Sequence, residues 1–222
     1  MSRNEELFEA IQAGQAPRVR ALLDQDSTLA NARNVVDVSA LAIAAYWGQS
    51  EIVDLLLARG AEMDVFTAAA LGDVERVRAF LLKQPDLVSS YSPDGWTPLH
   101  LAAHFGQARV ASLLLIYGAE VNARSRNGLA NTALHAALAG RRHEVAALLL
   151  AHGADPRATQ RGGWTPLHQA ADHGDRALIE ALLARGAEVN ARNDEGQTPL
   201  ALALARGHQE AATLLRAHGA MV

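Results

Sequence analysis

Residues Gly95–His100 read GWTPLH, and residues Gly163–His168 read GWTPLH again. A weaker copy, NTALH, lies between them at Asn131–His135, and GQTPLA follows at Gly196–Ala201. The threonines of the four copies are Thr97, Thr132, Thr165 and Thr198, so the steps are 35, 33 and 33 residues. A second marker, Gly-Ala, stands at Gly118, Gly153, Gly186 and Gly219 and keeps the same steps of 35, 33 and 33. Both markers absorb one two-residue insertion near Leu129–Asn131. A reaction centre has no reason to recur at a fixed step, whereas a stacked array of small units does.

Each unit has the same internal grammar. Thr at a helix start accepts a hydrogen bond from an orphan backbone N–H, and Pro beside it suits the first helical position. A short Ala-rich helix follows, such as LAAHFG at Leu101–Gly106, and glycine ends it in the left-handed conformation. A second stretch, such as ARVASLLLIYG, places Val110, Leu113 and Leu114 at i, i+3 and i+4, which is one buried helical stripe. Gly-Ala closes that helix. A polar segment such as EVNARSRNG then reads as a turn or hairpin. The histidines of the phrase, His100, His135 and His168, are expected to bridge polar backbone groups of the neighbouring unit.

Composition narrows the classes further. Half of the 222 residues are apolar and 5% are aromatic. There is no cysteine, which excludes disulfides and thiolate chemistry. The net charge is −4, without the basic excess of a general nucleic-acid binder. The start, MSRNEELFEAIQAG, lacks the apolar core of a signal peptide, and no apolar run approaches the roughly 18 residues of a membrane span. The expectation is a cytoplasmic protein away from membranes.

These residues resemble the ankyrin repeat, a family known by a 33-residue period and a T-P-L-H-x-A signature. The full pattern runs over residues 91–222, in four copies, and residues 1–90 align as degenerate units. There Ser39 takes the Thr position and Ala42 the His position; the unit beginning VFTAAALG follows Asp64 directly, so its finger loop is expected to be missing. Glu5, Glu6 and Glu9 suit a polar cap over the open end of the stack. The resemblance implies one all-α ankyrin-repeat solenoid over residues 1–222. It would hold about seven antiparallel helix pairs, with short β-hairpin fingers along one edge.

The resemblance also implies function: such arrays bind other proteins, through a concave face built from the fingers and the first helix of each pair. The residue after the finger glycine is Trp96, Trp164, Gln197 and, across the insertion, Leu129. The two residues before the glycine that ends the first helix are Tyr46-Trp47, His104-Phe105, Asp172-His173 and Ala205-Arg206. The fingers add Arg124, Arg126 and Arg161, together with Arg157 and Arg192. The candidate protein-binding residues are therefore Tyr46, Trp47, Trp96, His104, Phe105, Arg124, Arg126, Arg161, Trp164, Asp172, His173, Gln197 and Arg206. Large aromatics are favoured interface anchors. Residues 1–111 carry 9 basic and 14 acidic side chains and residues 112–222 carry 11 and 10, so the C-terminal half is the better match for an acidic partner segment.

No catalytic, cofactor or metal residue is assigned. His100 and His104 have the i, i+4 spacing of a metal pair, but no carboxylate or cysteine completes a set nearby. There is no phosphate-binding glycine loop and no nucleophile elbow. The expectation is a non-enzymatic, monomeric adaptor or regulator of a protein partner, with no cofactor. The alternative is a nucleic-acid binder or an accessory subunit of an enzyme complex.

Overall fold

The computed structural model describes residues 2–221. Fourteen α-helices form among them, in seven sequential pairs. The pairs are α1 (Arg3–Gln12) with α2 (Ala16–Gln25), α3 (Ala40–Tyr46) with α4 (Ser50–Ala58), and α5 (Val65–Leu71) with α6 (Val74–Lys83). Then come α7 (Pro98–Phe105) with α8 (Ala108–Ile116) and α9 (Ala133–Ala139) with α10 (His143–Ala151). The last two are α11 (Pro166–Asp172) with α12 (Arg176–Ala184) and α13 (Pro199–Ala205) with α14 (Gln209–Ala217). First helices contact the first helices of the adjoining pairs throughout, and second helices contact second helices on either side of the α4–α6 step, as a solenoid requires.

The leucine of the repeated phrase is what each unit gives to the core. Leu41, Leu99, Leu134, Leu167 and Leu200 are all buried. The apolar interior runs from Val65 to Leu215 as one cluster and from Leu7 to Leu56 as another, and Met63 packs against both. A seven- to ten-residue helix has too little surface to bury its stripe alone, so each unit is stable only against its neighbours.

The N-terminal glutamates act more specifically than as a polar cover. Glu5 completes a capping box with Ser2 at the start of α1, and Glu6 pairs with Arg18 of α2. Asp64 caps α5 directly, so only residues 59–64 separate α4 from α5 and that finger is absent.

The fingers differ from the expected hairpins. No strand forms among the described residues, and one isolated antiparallel bridge joins Arg33 and Ser39. Each finger is instead a tight turn closed by two backbone bonds, such as Ser92 N–H to Trp96 O and Gly95 N–H to Ser92 O, both at 2.8 Å. Successive fingers are stitched by single backbone bonds: Arg126 N–H to Gly95 O at 2.8 Å, Arg161 N–H to Leu129 O at 2.8 Å, and Asp194 N–H to Gly162 O at 2.9 Å. This crossing is close enough that a Cβ on Gly95 would lie 2.7 Å from the Asn127 nitrogen.

Among the described residues, three non-glycine residues adopt positive φ: Asp37 (63°), Ala130 (47°) and Arg141 (54°). Asp37 and Ala130 stand where the other fingers have glycine, and Arg141 stands where the first helix of other units meets its terminal glycine. The assignment of Leu129 to the Trp96 position is thereby corrected. The extra two residues are absorbed before Ala130, and Asn131 takes that position: its carbonyl accepts from Ser125 N–H at 2.8 Å, as that of Trp96 accepts from Ser92. Gly140, one place early, has its own reason to be glycine, since a Cβ there would lie 2.3 Å from the His104 carbonyl oxygen.

Candidate functional site

The threonine–histidine phrase forms an inter-unit strut. His100 Nδ1 lies 2.7 Å from the Thr97 hydroxyl, and its Nε2–H donates to the Asn131 carbonyl at 3.0 Å. His135 repeats this with Thr132 (2.9 Å) and the Trp164 carbonyl (3.2 Å). His168 repeats it with Thr165 (2.8 Å) and the Gln197 carbonyl (3.0 Å). All three rings are buried. Burial disfavours the imidazolium and pushes His100 and His135 down to about 4, while His168 is lowered for the same reason. Both nitrogens of His100 are thus occupied by structural partners, which leaves none for a ligand beside His104.

A second strut lies at the other end of each finger. Asn122 donates to the Gly153 carbonyl at 3.1 Å and accepts from Asp155 N–H at 2.8 Å. Asn31 clasps Gly60 and Glu62, and Asn190 clasps Gly219 and Met221, in the same way. Arg157 takes the asparagine position in its own unit and donates to the Gly186 carbonyl at 2.8 Å. These asparagines were not singled out in the sequence, although the repeated Val-Asn-Ala at residues 121–123 and 189–191 is the signal that marks them.

Four of the predicted surface residues converge. Tyr46 at the end of α3, Trp96 on the finger before α7, and His104 and Phe105 at the end of α7 line one pocket of about 210 Å³, together with Asp94 and Leu101. The Tyr46 and Phe105 rings stack with centroids 5.6 Å apart and planes at 19°, and His104 meets Phe105 edge-on at 4.9 Å. Helices α3 and α7 belong to units separated by the α5–α6 pair. Tyr46 and Phe105 nevertheless reach each other across α5. Trp47 is the C-cap of α3 and is 60% exposed, beside the pocket but outside its lining.

The remaining candidates lie elsewhere. Trp164 is half-buried over His168, with ring centroids 6.1 Å apart. Asp172 and Arg206 form an ion pair at 2.7 Å, and His173 is half-buried with no partner for Nδ1. Gln197 is half-buried and accepts from the Asn193 amide at 3.0 Å. Several finger arginines are engaged with their own finger or the one before it. Arg124 donates to the Ala130 carbonyl, Arg192 donates to the Gly196 carbonyl, and Arg126 lies 3.9 Å over the Tyr91 ring. Arg161 is exposed and offers its backbone N–H to Leu129.

Among the described residues, no helix is long and apolar enough to cross a membrane.

Comparison with known proteins follows the repeat. A family model described as Ankyrin repeats (3 copies) matches residues 65–160, 113–193 and 157–222, and one described as Ankyrin repeat matches residues 36–68. Probable E3 ubiquitin-protein ligase XBOS31 of Oryza sativa subsp. japonica is 33% identical over 120 residues, which are 50% of this chain and 27% of that protein. Alpha-latrotoxin-Lh1a of Latrodectus hasselti is 34% identical over 120 residues, 51% of this chain and 9% of that protein. Ankyrin repeat and SAM domain-containing protein 6 of Rattus norvegicus is 31% identical over 126 residues, 57% of this chain and 12% of that protein. The chain spans about a quarter or less of the length of these relatives.

Proposed function

The chain belongs to the ankyrin-repeat family, a protein–protein interaction architecture, and from that premise we propose that it acts as a non-catalytic adaptor or regulator gripping a protein partner through its concave face. The observation that carries this reading is the aromatic pocket of Tyr46, Trp96, His104 and Phe105, with exposed Trp47 beside it. Aromatic anchors around a concave pocket are the usual centre of an interface, because they bury much area at little entropic cost.

On this reading residues 1–222 work as one monomeric array in the cytoplasm. The struts hold the concave face rigid, so that a partner meets a preformed surface. Engagement of Arg124 and Arg192 by their own fingers, and of Arg126 and Arg157 by neighbouring units, favours a protein over a nucleic-acid ligand, since fewer finger guanidinium groups are left to meet phosphates. The test is affinity capture from the native cell lysate with the wild type and with Trp47→Ala/Phe105→Ala, followed by mass spectrometry. A protein retained by the wild type and lost by the double variant is the expected result. Equal retention by both, or salt-sensitive capture of nucleic acid alone, overturns the reading.

A further inference from the structure

The pocket that supports the proposed concave site has a chemical character that narrows its occupant. Its volume of about 210 Å³ admits one long side chain and no folded element. Aromatic rings and Leu101 supply most of the lining, and the one charged group is the Asp94 carboxylate. Asp94 accepts from the Ser92 hydroxyl at 2.6 Å through Oδ1, and its Oδ2 has no hydrogen-bonding partner among the described residues. A second carboxylate, Asp64, lines the small cleft adjoining the pocket on the Tyr46 side, together with Asp94. Burial, and after it the two carboxylates, hold the Tyr46 phenol above its ordinary range, so its proton stays in place at neutral pH.

Among the described residues no ion pair forms on Asp94, whose recorded side-chain bond is to Ser92. Arg33, which shares the adjoining cleft, is turned onto Asp37, donating to its carbonyl at 2.7 Å and standing 3.6 Å from its carboxylate. Arg142 is spent on the His104 carbonyl at 3.1 Å. Burial, the largest influence on His104, keeps its imidazole below the ordinary range and therefore neutral at pH 7. The pocket thus combines π-faces with an unneutralised carboxylate, and both favour a cation.

We infer that the concave pocket of Tyr46, Trp96, His104 and Phe105 receives an arginine side chain from an exposed segment of the partner, with the guanidinium against the aromatic rings and its N–H groups on Asp94. This rests on the proposed concave binding site. Arginine fits better than lysine because its planar, weakly hydrated head stacks on rings and presents paired donors to a carboxylate, whereas an ammonium is more costly to desolvate. Its methylene stem lies along Leu101 and Phe105.

The test uses the full chain and N-acetyl-arginine methylamide as probe, with the lysine, norleucine and glutamate analogues as comparisons. Binding is followed by the NMR shifts of the Trp96 indole N–H and of the Tyr46 and Phe105 ring protons. The arginine probe is expected to saturate the site with a Kd about tenfold or more below that of norleucine. Asp94→Asn is expected to raise the arginine Kd about fivefold or more while leaving the norleucine value in place. Norleucine or lysine binding as tightly as arginine, an Asp94→Asn variant with unchanged arginine affinity, or no shift with any probe overturns the inference. The wild-type comparison of probes holds even if the variant misfolds. If arginine fails here while partner capture is still lost with Trp47→Ala/Phe105→Ala, the pocket chemistry is wrong and the concave site stands.

Discussion

His100 and Asn131 are joined across a unit boundary: the histidine Nε2–H donates to the asparagine carbonyl at 3.0 Å, from a fully buried ring. The same ring accepts from Thr97 of its own helix start, so one side chain ties a cap to the next finger. Replacing it takes the acceptor from a buried threonine hydroxyl and one of two donors from the finger carbonyl, which keeps its bond from Ser125 N–H. His135→Leu, which breaks the equivalent tie between Thr132 and Trp164, is expected to cost about 1–3 kcal/mol, since the Thr132 hydroxyl loses its acceptor while the Trp164 carbonyl keeps its bond from Gln160 N–H. Urea unfolding of the variant checks this, and an unchanged midpoint would show that the bridge contributes nothing.

The buried histidines make stability depend on pH in a defined direction. In the unfolded chain they titrate near the ordinary value of about 6.5, whereas His100 and His135 in the fold do so at about 4. The folded pKa is lower, so the stabilisation is complete above pH 6.5 and is lost as pH falls from there towards 4. The loss is about 3 kcal/mol for each of the two histidines at the acidic end. Urea midpoints measured at steps from pH 7.5 to 4 should fall steadily, and a flat profile would be inconsistent with neutral, buried rings.

Arg141 and Gly140 have exchanged the roles usual in the array. Arg141 holds φ at 54° where other units use glycine, and Gly140 keeps a conformation any residue can adopt. Arg141→Gly is expected to stabilise by about 0.5–1 kcal/mol, because the left-handed conformation costs a side-chain-bearing residue about 1–2 kcal/mol, partly offset by glycine's entropy. Gly140→Ala is expected to destabilise, because its Cβ would meet the His104 carbonyl oxygen at 2.3 Å. Opposite signs in thermal melts of these two neighbours check the register directly.

The core leucines test the dependence of each unit on the next. Leu167 is fully buried at the start of α11, and Leu167→Ala is expected to cost about 2–5 kcal/mol. A melt indistinguishable from wild type would contradict neighbour-carried stability.

Most of the scaffold was legible because the repeat writes each physical role several times over. Thr97, Pro98, Leu99 and His100 state cap, first turn, core and bridge in consecutive residues, and the structure uses them so. The missing finger before α5 was legible because VFTAAALG follows Asp64 at once. Register failed at Leu129, where a two-residue insertion can be placed on either side; only the left-handed Ala130 decides it. The finger arginines carried charge in the sequence but not their acceptors, which are backbone carbonyls invisible to a pattern of side chains. Asp94 was missed for a similar reason. Its relevance comes from Tyr46 and Phe105, brought beside it across α5 from units far apart in the chain. Phe105 and Tyr46 were singled out by position within the repeat rather than by any local motif, and the structure brings the two into one pocket.

The most direct measurement is the affinity of the captured partner for the wild type and for Trp47→Ala/Phe105→Ala, by titration calorimetry. Both side chains lie at the surface end of their helices, so the melting temperature should change little, within the roughly 0.5–1.5 kcal/mol that one ring stack supplies. A Kd raised about thirtyfold or more, equivalent to about 2 kcal/mol, is the predicted result. An unchanged Kd in a variant that melts with the wild type would contradict the assignment of the aromatic patch as the surface that holds the partner.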